Sequence, residues 1–227
     1  MIVGDFEGGG KMEVIAVADH FPDFPCVVLK IEARNGNSLA EYWHPGYITV
    51  LNHKDIDGDG LQEIFLGGVN NGYRLGALVV LDPREISGHA PGTASYIPEN
   101  VQRAAEKYYL LIPRNDLQKV AVENSGRVAE INFPSDGSIR IGTGESMGPD
   151  RVYGPIYYFD SHMRIMKLLP ESEFEALHHR LEAEGKLTRK LDEQYYRELR
   201  EGVRYWDGER FAKEPTMNGR YTSTQIP

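Results

Sequence analysis

The chain has one cysteine, no long apolar run and no surplus of positive charge, and each shortage removes a class of protein. A lone cysteine, Cys26, excludes a disulfide framework. Set in the apolar run Cys26-Val27-Val28-Leu29, it reads as a buried structural thiol. No stretch of eighteen apolar residues occurs, so no membrane-spanning segment is expected. With 25 Lys and Arg against 34 Asp and Glu, the formal net charge of −9 argues against a nucleic-acid surface and suits the binding of cations. The opening residues carry neither a basic region nor an apolar core, so no signal peptide is expected. Also missing are a Gly-x-Ser-x-Gly elbow, a His-Glu-x-x-His pair and a dinucleotide fingerprint. Gly142-Thr143-Gly144-Glu145 lacks the Gly-Lys-Ser/Thr ending of a phosphate loop. No catalytic residue is proposed on these grounds.

What is present is turn chemistry and short strands. Twenty-four glycines, 13 prolines and 13 tyrosines in 227 residues fit a β-rich chain with many turns. The densest turn is Asp55-Ile56-Asp57-Gly58-Asp59-Gly60-Leu61-Gln62-Glu63, which runs into the apolar Ile64-Phe65-Leu66. Aspartates at positions 1, 3 and 5 put three carboxylates on the concave side of one curl, and Gly58 and Gly60 supply its bends. Position 7 (Leu61) offers a backbone carbonyl and position 9 (Glu63) a fourth carboxylate. Hard cations of the Ca²⁺ type want six to eight such oxygens. An EF-hand would carry its bidentate Glu at position 12, which here is Leu66, so the loop is expected to open into a strand instead of a helix.

The pattern occurs twice. Asp5-Phe6-Glu7-Gly8-Gly9-Gly10-Lys11-Met12-Glu13-Val14 overlays the central loop at an offset of 50 residues, with Gly9 in the place of Asp59. It keeps Asp5, Glu7 and Glu13, which makes them weaker metal candidates. Each loop is followed by two apolar runs separated by a polar turn. A period of this size built from short strands is the mark of a propeller blade or a related array.

Asp-x-Asp-Gly-Asp-Gly-x-x-Glu-Ile, followed by Leu-Gly-Gly-Val and Gly-Ala-Leu-Val-Val-Leu-Asp, resembles an FG-GAP/VCBS repeat, the unit of the integrin alpha β-propeller. The resemblance covers roughly residues 1–95. It implies four-stranded blades with Ca²⁺ in the loop between the first two strands, held by Asp55, Asp57, Asp59 and Glu63 side chains and the Leu61 carbonyl. It also implies an extracytoplasmic setting.

The expected architecture is therefore mainly β: a partial or open β-propeller with a C-terminal helical hairpin. Its divisions are repeats at about 1–46 and 47–95, a degenerate β region at 107–169, and a helical segment with a short hairpin and tail at 170–227. A long loop is expected over 83–106, with a helical turn at Glu99–Glu106, and strands over Tyr108–Ile112, Lys119–Val122, Arg127–Phe133 and Ser138–Gly142. Asn124-Ser125-Gly126 is expected to be a turn, and Val152–Asp160 and Met163–Leu169 to form a hairpin. Ser172 and Glu175 form a capping box at the start of the first helix, with Phe174, Leu177 and Leu181 on its apolar face. Leu191, Tyr195 and Leu199 line the second. His178 and His179 are expected to be solvated, and Trp43 and His44 to pack between blades.

The function this favours is a calcium-stabilised interaction module for a protein or carbohydrate partner, or for the remainder of a propeller or another copy. The rival reading is a divalent-cation-dependent hydrolase or lyase on the same scaffold.

Overall fold

The computed structural model describes residues 1–19, 25–92, 99–121, 126–147 and 150–215. They are mainly β, in three sheets, none closed into a barrel. The first sheet is the meander β1 (Ile2–Gly4), β2 (Glu13–Ala18), β3 (Cys26–Glu32) and β4 (Ser38–His44), extended by a two-residue β8 (Gly88–His89) that runs parallel to β4. The second holds β5 (Ile48–Lys54), β6 (Glu63–Asn70), β7 (Leu75–Leu81) and β9 (Tyr108–Ile112). The third is β10 (Arg127–Asn132), β11 (Ile139–Met147), β12 (Asp150–Phe159) and β13 (Ile165–Leu169).

The second sheet lies between the other two, and the strand period explains how. Along β6, β7 and β9, Phe65, Leu78, Val80, Tyr108, Leu110 and Ile112 point into one core. The alternate residues Ile64, Leu66, Ala77, Val79, Tyr109 and Leu111 point into the other. Side chains two apart share a face, so a sheet covered on both sides has to read as unbroken apolar runs. The repeated loops and strands thus become stacked sheets. Gly68 is required where β5 and β6 shift register: a Cβ there would stand 1.8 Å from the Tyr47 carbonyl oxygen.

The outer face of the first sheet is apolar too. Val3, Val14 and Ile31 form one cross-strand row, Ala16 and Leu29 another that ends on Glu41, and Val27 and Trp43 a third. These residues are half-buried or exposed, and none joins either core.

Two helices follow the third sheet, α2 (Ser172–Ala183) and α3 (Glu193–Gly202), and their Phe174, Leu181, Tyr195 and Leu199 are buried in the core shared by the second and third sheets. Leu177 and Leu191 are partly buried against it. β14 (Arg204–Trp206) and β15 (Phe211–Ala212) then pair across Asp207-Gly208, as the Asp-Gly signal predicts. They also add to the edge of the second sheet, with Tyr205 opposite Leu110. No described helix is long and apolar enough to cross a membrane.

Several local expectations are corrected. Lys119-Val120-Ala121 belongs to a helix, α1 (Asp116–Ala121), because Asn115 and Gln118 cap it reciprocally. The Asn115 amide donates to Gln118 Oε1 at 3.0 Å, and the Gln118 amide donates to Asn115 Oδ1 at 2.9 Å. This is the capping-box arrangement in its Asn/Gln form. Glu171, not Ser172, caps α2: its carboxylate accepts the amides of Glu173 and Phe174. Glu99–Glu106 holds no helical turn. Its backbone runs beside β8, with the His89 amide donating to Gln102 O and the Ala104 amide to His89 O. Val122 and the turn residues Asn124 and Ser125 lie outside the described residues.

Candidate metal centre

The central loop is pinned at its mouth by β5 and β6, where Lys54 stands opposite Glu63. Between them Gly58 and Gly60 adopt φ of +80° and +86°, a region that residues with a Cβ avoid. Their amides donate to the two oxygens of Asp55, at 2.7 and 3.0 Å. The Leu61 amide donates to Asp59 Oδ1 at 2.9 Å. The result is that Asp55, Asp57 and Asp59 each present an oxygen within 4.8 Å of the others. Three of the expected ligands are therefore brought together.

Glu63 is placed differently. It is fully buried, accepts the Ile56 amide at 2.9 Å and receives the Lys107 ammonium at 2.8 Å. Lys107 also donates to Asp57 Oδ2 at 2.6 Å. Desolvation works against the ammonium, but its hydrogen bonds to Asp57 and Glu63 outweigh that and hold its pKa above the ordinary lysine value. Lys107 thus stands between Asp57 and Glu63, and the Arg84 guanidinium lies 4.0 Å from Asp59. The donor set of the three aspartates fits a hard cation. Glu63 fits only if it exchanges Lys107 for the ion.

The first loop repeats the scaffold with a different filling. Asp5 accepts the amides of Gly9 and Gly10 at 3.1 and 2.7 Å, as Asp55 does from its own glycines. Glu7 and Glu13 converge instead on Lys30, which pairs with Glu7 and lies 2.8 Å from Glu13. Among the described residues, Asp5, Glu7 and Glu13 do not form a metal-type cluster. The two loops touch: the Gln62 amide donates to the Phe6 carbonyl at 2.9 Å, and the Phe6 ring stands edge-on to His53.

Sequence reasoning missed both lysines, since nothing in a local motif points to a partner 23 or 44 residues away. It also missed a buried polar network between the first two sheets. There His44 Nε2 lies 2.9 Å from the Tyr109 hydroxyl, to which Asn70 also donates. Beside them Glu106 accepts from Tyr42 and Arg103. Burial of His44 agrees with the expected packing role. His178 corrects the expectation of solvation, being fully buried, while His179 stays exposed.

Comparison with family models, curated proteins and solved structures returns no match.

Proposed function

We propose that the chain is a calcium-stabilised interaction module of the FG-GAP/VCBS type. The three sheets are its blades, arranged as an open propeller segment and capped by the helical hairpin. The observation that carries this reading is the convergence of the Asp55, Asp57 and Asp59 oxygens on a loop held by two glycines. Bound there, Ca²⁺ supplies charge that offsets the repulsion of the carboxylates. Asp55, Asp57 and Asp59 would hold it, with the Leu61 carbonyl, while Lys107 neutralises Glu63 beneath. The first loop lacks the fifth-position carboxylate, with Gly9 in the place of Asp59, so once Lys30 has paired with Glu7 and Glu13 only Asp5 is left for an ion.

The partner surface is the apolar outer face of the first sheet. Its rows of Val, Leu and Ile match the chemistry by which the second sheet packs on both of its neighbours. The occupant such a face suits is another sheet, from a second copy or from further blades.

Calorimetry tests the metal part. Ca²⁺ should bind the chain with a dissociation constant on the order of 10⁻⁴ M. Asp59→Ala should abolish the signal and Glu7→Ala leave it intact. The reverse ranking, or no heat at millimolar Ca²⁺, would overturn it.

A further inference from the structure

We infer that α2 carries a second metal site of a different class, in which His178, His179 and Glu182 bind one zinc-type transition-metal ion. This inference is independent of the loop reading. One donor atom from each of the three residues lies within 4.8 Å of the others. His179 Nδ1 is 3.7 Å from Glu182 Oε2. Donors around one tetrahedral zinc lie roughly 3.4 Å apart. His179 is largely exposed, so a small rotation of its side chain and of Glu182 closes the set.

The independent observation is His178 itself. It is fully buried, yet neither Nδ1 nor Nε2 has a hydrogen-bond partner. Buried imidazole nitrogens are normally satisfied, and leaving one unpaired forfeits its hydration without replacing it. Its ring is wedged edge-on to Tyr195, 5.8 Å away, and tilted against Phe174, so packing fixes its position. A nitrogen held beside a second imidazole and a carboxylate is a ligand in waiting.

A further carboxylate, that of Asp116, adds negative charge near His178 without bonding to it. Asp116, at the start of α1, is nearly buried, and its Oδ2 accepts no hydrogen bond, although Arg189 Nε lies 3.8 Å away.

The donor chemistry selects the ion. Two imidazoles and one carboxylate suit zinc and its first-row neighbours, whereas the all-oxygen loop suits calcium. Three protein ligands leave one position open, the pattern of zinc sites that keep a water.

The test uses the full chain and Co²⁺ as a spectroscopic probe, with Zn²⁺ titrated by calorimetry. One Zn²⁺ per chain should bind, and Co²⁺ should give the visible absorption of a tetrahedral site that Zn²⁺ quenches. His179→Ala and Glu182→Gln alter the solvent side of α2 and should leave the apo far-ultraviolet spectrum unchanged. Each should weaken Zn²⁺ by about tenfold or more, since losing a ligand costs at least as much as losing a supporting group. Millimolar Ca²⁺ should not displace the cobalt, which separates this site from the loop. No Zn²⁺ binding at about 1 mM, or binding unchanged in both folded α2 variants, would overturn the inference.

Discussion

Lys30 and Lys107 do the same electrostatic work from positions that do not correspond. Each sets its ammonium between the carboxylates at positions 3 and 9 of an acidic loop, Glu7 and Glu13 in one case, Asp57 and Glu63 in the other. Yet Lys30 stands in β3 opposite Ile15, and the matching place in the second sheet, opposite Phe65, is Val80. Lys107 reaches its loop from the residue before β9. A buried ninth-position glutamate needs a cation, and the two sheets supply it from different strands.

Removing that cation should be costly in a particular way. Lys107→Met leaves Glu63 buried and unpaired, a loss of roughly 3–5 kcal/mol. Denaturant unfolding should show it. Because the ion can then take over Glu63, millimolar Ca²⁺ should restore more stability to this variant than it adds to the parent. An unchanged midpoint in Lys107→Met would show that the pair contributes nothing.

The central loop should couple metal to folding. An ion bound to the native chain alone adds about 2.7 kcal/mol at a hundred times its dissociation constant. For a chain of this size that raises the melting temperature by roughly 5–10 °C. Chelator should reverse the gain, and Mg²⁺ should reproduce it weakly. Curves that overlay in chelator, Ca²⁺ and Mg²⁺ would remove the metal from the account.

His44 should make the fold acid-sensitive. Burial lowers its pKa from the ordinary value to about 4. The unfolded chain therefore binds the proton first, and stability present above about pH 6.5 is lost as the pH falls toward 4. Once both states are protonated, below that window, the loss levels off. The whole effect is worth roughly 3 kcal/mol. His44→Gln should be less stable at pH 7 but should show a shallower fall in melting temperature between pH 6.5 and 4.5. An identical slope would place the acid sensitivity elsewhere.

The outer face of the first sheet should drive association. Leu29→Glu puts a second charge into the middle row, opposite Glu41, without touching either core, so sedimentation should show weaker self-association and a melting temperature close to the parent's. A parent chain that stays monomeric at about 0.1 mM would exclude a second copy as the occupant.

The helices should be structural. Phe174 is fully buried, so Phe174→Ala should cost about 3–5 kcal/mol by equilibrium unfolding. A variant as stable as the parent would mean that α2 is an appendage.

The β class, the meander strands and the two acidic loops were legible in the residues, because a period of two, turn glycines and alternating aspartates are local signals. Cys26 and the apolar faces of α2 and α3 were legible for the same reason. The α1 helix was signalled as well, by Asn115 and Gln118, a form of capping box easily overlooked. Tertiary structure alone decided the rest. It set which face of each apolar run meets which core, and it brought β14 and β15 back to the edge of the second sheet. It also set a lysine against the ninth-position glutamate of each loop and buried His178 without a partner. The physical reason is one of range. Backbone geometry acts over a few residues, whereas desolvation and charge pairing depend on which groups distant parts of the chain bring to the same place.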